Sequence, residues 1–223
     1  MTRLYVIRHC EAFGNINRIF QGQSDGPISE NGVKQLEKLS ERFSDIHLDH
    51  IYASPLTRTQ LTAQAINHNG LPIVLEEDFK EICGGVWENK PFASFPVDFP
   101  EDAYAWNKTP HLFHPKDGEA MTNVYNRVYK AFCRIAKAYD GQTVAIVSHG
   151  CAIRNLLCNL KGLPIESLNE VHWCDNTGVL AVESDGQNHH ILYENDNSHL
   201  GDLSTLKKQA WWRKENREAL TFE

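Results

Sequence analysis

Two histidines, with the residues just before them, carry the chemistry most directly readable in this chain. Leu4-Tyr5-Val6-Ile7 runs into Arg8-His9-Cys10-Glu11, and Val144-Ala145-Ile146-Val147 runs into Ser148-His149-Gly150. A neutral imidazole attacks phosphorus well, and a phosphohistidine divides one difficult displacement into two easier ones, so His9 is a candidate nucleophile. Arg8 adds a permanent positive charge beside it. Arg58 lies about one turn into a helix that Ser54-Pro55 would open as N-cap and first residue. Unpaired amides and partial positive charge at a helix start favour an anion there. Position alone leaves Arg58 equally readable as a solvated surface cation, and His149 as a hydrogen-bonded structural histidine. Together Arg8, Arg58 and His149 would hold the non-bridging oxygens of a transferring phosphoryl group, a task that then needs no metal. The leaving alcohol needs a proton donor that later serves as a base for water. Glu81, following a strand and preceding Gly84-Gly85, is the best-placed carboxylate, and burial in such a pocket would raise its pKa. Glu11 and Asp25 are weaker candidates.

Groups so far apart in sequence meet only if the fold brings them to one rim. The two Val- and Ile-rich runs read as strands buried on both faces of a parallel sheet. Ligands of such sheets bind beyond the carboxyl ends of the strands, which is where His9 and His149 emerge. Ser29 opens a helix whose apolar face is Val33, Leu36, Leu39 and Phe43. Ile51-Tyr52-Ala53 and Ile73-Val74-Leu75 are short strands around a helix from Pro55 to about Asn67. Ser148 is placed to cap the helix that runs on through Leu160. A long helix spans about Met121 to Tyr139, and a closing hairpin turns at Gly186. Alternating strands and helices predict an α/β fold, a three-layer sandwich whose central, mostly parallel sheet is flanked by helices. The segment 87–118, punctuated by prolines and rich in Phe, Tyr and Trp, reads as a small inserted lid within a single domain spanning 1–223.

Composition narrows the partners. The chain has 223 residues, 41% of them hydrophobic, and a formal net charge of −7, which suits one sizeable domain and argues against an extended nucleic-acid-binding face. No apolar stretch approaches the ~20 residues of a bilayer span, and the N-terminus lacks a signal-peptide pattern, so a cytoplasmic protein with no membrane partner is expected. The six cysteines show no C-x-x-C spacing, so neither a metal site nor another cofactor is predicted, and free thiols are expected. The tail residues Trp211-Trp212-Arg213-Lys214 are a candidate either for packing back on the domain or for an oligomer contact such as a homodimer.

Taken in order, these pieces resemble the histidine phosphatase superfamily, the clan that includes the cofactor-dependent phosphoglycerate mutases. The resemblance rests on Arg8-His9-Cys10-Glu11 with Asn15, Gln21-Gly22 through Asp25 and Pro27, and Ser54-Pro55-Leu56-Thr57-Arg58-Thr59. It continues through Glu81, Gly85-Val86-Trp87-Glu88, Gly118-Glu119, Ser148-His149-Gly150 and Asn195 to Leu200. It implies His9 as the phosphorylated nucleophile and Arg8, Arg58 and His149 as the phosphate pocket. It implies Glu81 as proton donor and Asn15, Gln21 and Gly22 as substrate contacts. The activity it implies is hydrolysis of a small phosphorylated metabolite. Mutase-type phosphoryl transfer and a catalytically weak, phospho-ligand-binding role are the alternatives. The segment 87–118 is short and aromatic, with only Lys90, Lys108 and Lys116 as bases, which favours hydrolysis over mutase chemistry.

Two positions depart from the family pattern. Cys10 and Asn89 stand where glycine is usual. Cys10, Cys83 and Cys151 each lie within two residues of a proposed catalytic group, which predicts inhibition by thiol reagents acting through Cys10.

Overall fold

The computed structural model describes residues 1–209, so the tail segment 211–214 lies outside the described residues. Six strands, β1 (Thr2–Arg8), β2 (His50–Ala53), β3 (Ile73–Leu75), β4 (Thr143–Ser148), β5 (Val179–Ser184) and β6 (His189–Asp196), form one sheet in the order β3-β2-β4-β1-β5-β6. β4 runs parallel to both β1 and β2, and β3 parallel to β2. β5 is antiparallel to β1 and to β6. The helices are α1 (Phe13–Asn17), α2 (Glu30–Phe43), α3 (Thr57–Ala65), α4 (Phe95–Asp98), α5 (Pro100–Lys108), α6 (Met121–Ala138), α7 (Gly150–Leu160) and α8 (Thr205–Lys208).

The period of two along a strand divides the sheet residues between two cores. Leu4, Val6, Val144 and Ile146 pack with Val124, Val128 and Phe132 of α6 and with Ile153 and Leu156 of α7. Tyr5, Ile7, Ala145 and Val147 pack with Leu39 and Phe43 of α2 and Ala63 of α3. Burial on both faces explains why these strands read as continuous apolar runs and gives the expected three layers. Truncating a fully buried ring such as Phe43 or Phe132 to alanine would cost about 3–5 kcal/mol.

The face of α2 differs from its apolar periodicity. Val33 is 46% exposed, while Gln35 is fully buried. The Gln35 side chain accepts a hydrogen bond from Glu11 N at 2.8 Å and donates to the Leu203 carbonyl at 2.8 Å. Those bonds offset the cost of burying an amide and rotate the inward stripe away from Val33.

The segment between β3 and α6 is a series of short helices and turns. Trp87, Phe95 and Phe113 are buried in the same core as α6 and α7, and the Trp87 and Phe95 rings stack with centroids 3.7 Å apart. These rings are therefore core for the segment itself.

Candidate active site

The parallel register brings the two histidines together. Arg8 pairs with Ser148 and Ala53 with Val147, so β1, β4 and β2 end level and hand over to His9, His149 and Ser54 at one rim. The imidazole centroids of His9 and His149 are 5.2 Å apart. His9 Nδ1 lies 2.7 Å from the carbonyl of Cys10. A carbonyl only accepts, so Nδ1 carries the proton and Nε2 keeps its lone pair. His149 is held through the other nitrogen: Nε2 lies 2.8 Å from Ser54 Oγ, and Nδ1 is buried without a partner among the described residues. Both rings are buried beside Arg58 and Arg8, and burial first, then these guanidiniums, holds both imidazoles well below the usual value. Both are neutral at physiological pH.

Ser54 therefore has a different part from the one its position suggests. α3 begins at Thr57, two residues beyond the expected start. Its first amide is capped from 32 residues away, by Asp25, whose two oxygens accept from Thr57 N at 3.0 and 3.1 Å. That frees the Ser54 hydroxyl for His149. Ser148 is likewise not the cap of α7. Its hydroxyl donates to the Phe79 carbonyl at 2.8 Å, and His149 occupies the cap position.

The two arginines share one arrangement: their ends are anchored and Nε is left over. Arg8 Nη1 donates to the Cys174 carbonyl at 2.7 Å. Arg58 donates from Nη1 to the Ser24 carbonyl at 2.9 Å and from Nη2 to the Gly22 carbonyl at 2.7 Å, and it is 1% exposed. In both residues Nε is buried and has no partner among the described residues. Arg58 is thus a buried pocket residue rather than a solvated surface cation. Buried donors are nearly always paired, so unpartnered N–H groups on two guanidiniums beside two neutral imidazoles mark a place for an anion.

Glu81 closes the rim from the other side. Its Oε2 accepts from Cys151 N at 3.0 Å, and Oε1 accepts from Ala152 N at 3.2 Å and from Ile82 N at 2.9 Å. The carboxylate is the side-chain cap that α7 otherwise lacks. Burial raises its pKa, against the opposing pull of these amides and of Arg58 and Arg8. Arg127 fixes the backbone beneath it, donating to the Glu81 carbonyl at 3.2 Å and holding both oxygens of Glu119 at 2.7 and 2.9 Å.

Arg8, His9, Arg58 and Glu81 line a cavity of about 360 Å³, together with Asn15, Gln21 and Gly22. Gly22 has φ +48°, and a Cβ there would fall 1.9 Å from Glu88 Oε1. Glu88 uses that space to accept from Gln23 N, Ser24 N and Gly84 N at 2.8–3.1 Å, so it holds the loop whose carbonyls bind Arg58. Glu11 is excluded as a proton donor. It is buried away from the cavity, accepting from the hydroxyls of Ser29 and Thr205 at 2.7 Å each. Asp25 is spent on capping α3.

The two departures from the family pattern are accommodated differently. Asn89 has φ +61°, a left-handed conformation that asparagine adopts far more readily than most residues. Cys10 is not in that region. Its side chain is fully buried, outside the cavity lining, and its backbone N donates to Thr62 Oγ1 of α3. Burial pushes its thiol up to about 11. The expectation that Cys10 makes the site sensitive to thiol reagents is therefore corrected: the side chain has neither access nor thiolate character.

Several residues around the site carried no readable signal. Asn176 is fully buried and donates to the His9 carbonyl at 2.9 Å. Asp175, also fully buried, accepts from Ser204 Oγ at 2.5 Å and from Leu206 N at 3.1 Å. It thereby pins the segment that brings Thr205, Leu206 and Gln209 to the cavity. Phe92, Trp106 and Trp173 line it as well. Among the described residues, no group of three or more His, Cys, Asp or Glu side chains is arranged to hold a metal ion, and no helix is long and apolar enough to cross a membrane.

Comparison with known proteins gives the chain's family and fold relatives. The model of the histidine phosphatase superfamily (branch 1) matches residues 4–197. The chain is 34% identical over 207 residues to phosphoserine phosphatase 1 of Hydrogenobacter thermophilus, covering 91% of this chain and 96% of that one. It is 36% identical over 170 residues to a probable phosphoglycerate mutase GpmB of Yersinia pseudotuberculosis, covering 74% of this chain and 77% of that one. Its fold superposes on Bacillus stearothermophilus YhfR with a TM-score of 0.85 at 32% identity, over 89% of this chain and 99% of that one.

Proposed function

We propose that this chain, which belongs to the histidine phosphatase superfamily, hydrolyses a small phosphate monoester through a phosphohistidine on His9 without a metal ion. It is a phosphatase, as relatives and structural neighbours bearing that name support. The observation that carries the mechanism is the arrangement around the His9 ring. Nδ1 is committed to the Cys10 carbonyl, Nε2 is available, and nearby Arg8 Nε, Arg58 Nε and His149 Nδ1 are buried without partners among the described residues.

In the first step the Nε2 lone pair forms the N–P bond as the ester P–O bond breaks. The unpartnered nitrogens hold the non-bridging oxygens, where charge is greatest in the loose transition state. Glu81 delivers its proton to the departing alkoxide. In the second step the Glu81 carboxylate takes a proton from water, the water oxygen attacks phosphorus, and the N–P bond breaks to release phosphate and neutral His9.

Hydrolysis is favoured over mutase transfer because the bases of segment 87–118 do not serve the cavity. Lys90, Lys108 and Lys116 are absent from its lining, and Lys90 Nζ sits 4.6 Å over the Phe99 ring. The binding-only alternative is disfavoured because Arg8, His9, Arg58 and Glu81 line one cavity and the His149 ring lies 5.2 Å from that of His9, an arrangement that supports catalysis. Segment 87–118 is best read as a lid, supported by its contribution of Phe92, Phe95 and Trp106 to the cavity wall. The test is hydrolysis of p-nitrophenyl phosphate in EDTA from about pH 5 to 8. Wild-type turnover that ignores the chelator and is abolished in His9→Ala is expected. Turnover that survives in His9→Ala, or that EDTA abolishes, would overturn the reading.

A further inference from the structure

Glu81 is placed differently from the other groups of the site. His9 and His149 follow directly on β1 and β4, and Arg58 lies on α3, so a strand ladder or a helix fixes the backbone there. Residues 81–84 belong to neither strand nor helix. Their backbone groups are paired largely with side chains, and those side chains decide where the Glu81 carboxyl stands. The carboxylate itself is held by the amides of Ile82, Cys151 and Ala152. That hold is strongest when the group is ionised. A protonated oxygen becomes a donor, so the acid form, which must deliver the proton, keeps only part of it. An anchor at the Glu81 backbone does not change with the proton.

Arg127 of α6 supplies that anchor. All five of its N–H donors are engaged: Nη1 with the carbonyls of Asp78 and Lys80 at 2.7 and 2.8 Å, Nη2 with the Glu81 carbonyl at 3.2 Å and Glu119 Oε2 at 2.9 Å, and Nε with Glu119 Oε1 at 2.7 Å. Arg8 and Arg58 keep Nε for an anion, whereas Arg127 keeps nothing back. Three carbonyls aimed at one point repel each other unless a cation lies between them. Glu119 extends the grip past Glu81: its Oε2 accepts from Cys83 N at 3.4 Å, and its own N donates to the Cys83 carbonyl at 2.9 Å. The ion pair therefore brackets the chain on both sides of Glu81. Both side chains are mostly buried, and neither is among the described residues that line the cavity. Gln23 Nε2 adds a second bond to the Glu81 carbonyl at 3.0 Å.

Resting on the phosphatase reading above, we propose that Arg127, paired with Glu119, is the positioning residue of the proton donor: it fixes the backbone of residues 78–83 so that the Glu81 carboxyl stays within reach of the departing ester oxygen. Arg127 acts through Glu81 and touches neither the phosphoryl group nor the alcohol. Its effect is therefore confined to substrates whose leaving group needs a proton.

The test measures kcat/KM for ethyl phosphate and for p-nitrophenyl phosphate in the wild type, Arg127→Lys, Glu119→Gln, Glu81→Gln and the double variant Arg127→Lys with Glu81→Gln. Lysine keeps the charge but cannot span three carbonyls and a carboxylate from one nitrogen. The ethyl-to-nitrophenyl ratio within one preparation does not change with the amount of folded enzyme. Misplacing a reacting group by about 1 Å costs about 10²-fold, so the ratio should fall about 10- to 100-fold in Arg127→Lys and in Glu119→Gln. In the double variant it should fall no further than in Glu81→Gln alone. An unchanged ratio in both Arg127→Lys and Glu119→Gln, or a fall that adds in full to that of Glu81→Gln, would overturn the positioning role and leave the phosphatase reading intact. An unchanged ratio in Glu81→Gln would overturn the proton donor and this inference with it. Wild-type turnover of p-nitrophenyl phosphate that does not need His9 would instead overturn the phosphatase reading on which both rest.

Discussion

His9 and His149 are anchored through opposite ring nitrogens: His9 by Nδ1 to the Cys10 carbonyl at 2.7 Å, His149 by Nε2 to Ser54 Oγ at 2.8 Å. One ring thereby offers a lone pair and the other offers Nδ1, at a centroid separation of 5.2 Å. In the proposed mechanism the same side chain serves as nucleophile in one place and as phosphate ligand in the other, according to the atom that holds it.

This arrangement predicts unequal effects at the two histidines. His9→Ala should abolish turnover. His149→Gln should lower kcat by about 10²–10³-fold, as for loss of one oriented transition-state donor. Ser54→Ala, which leaves the His149 ring present but unanchored, should cost about tenfold, as loss of a supporting partner does. Steady-state kinetics on p-nitrophenyl phosphate ranks the three, and an unchanged kcat in Ser54→Ala would refute the orienting role of Ser54.

Glu81 should show its role through the leaving group. With an alkyl phosphate, whose alkoxide must be protonated, Glu81→Gln should lower kcat/KM by about 10²–10⁴-fold. With p-nitrophenyl phosphate, whose leaving group departs as the anion, the loss should be far smaller. Burial raises the Glu81 carboxyl above its ordinary value, so the acid form persists to higher pH and wild-type kcat/KM for the alkyl ester should fall as pH rises through that raised value. The alkaline limb should be absent in Glu81→Gln. An unchanged limb would assign it to another group.

The buried histidines also couple stability to pH. Both have depressed pKa values in the folded protein. As pH falls below about 6.5 the unfolded chain takes up protons at these sites and the native state does not, so stability is lost on acidification and is untouched above that pH. Glu81, with a raised value, acts in the opposite sense at one site. Thermal unfolding from pH 8 to 5 should show a smaller acid-side decline for His149→Gln than for the wild type. Parallel curves would contradict the depressed value at His149.

Thiol chemistry should be quiet. Cys10 is fully buried with its thiol pushed up to about 11, and Cys151, 3% exposed, is raised well above its usual value. Activity should survive iodoacetamide and peroxide treatment of the native enzyme with little loss. Rapid inactivation that Cys10→Ala prevents would show that the pocket opens further than its geometry indicates.

How far the chain discloses this design differs from residue to residue. The strands around His9 and His149 were legible because burial on both faces writes an unbroken apolar run, and the strand-end rule then places both rings at one rim. Glu81 was legible as a carboxylate near the site, but its capping of α7 was not, because that bond joins residues 70 positions apart. The same holds for Asp25 capping α3, which is why local capping rules misassigned Ser54 and Ser148. Gln35 shows the limit of periodicity: a polar residue satisfied by long-range partners takes an inward position and sends Val33 out. Asn176, Asp175 and Trp173 carried no signal, since their roles arise only when the segments around β5 and α8 close over the rim.

The most direct test of the account is to quench the enzyme during turnover and locate covalent phosphate by mass spectrometry. A phosphoramidate on His9, labile to acid and absent in His9→Ala, is the predicted result, and it should accumulate when Glu81→Gln slows attack by water. Active enzyme that transfers no phosphate to His9 under any quench, or that carries it on another residue, would contradict the mechanism.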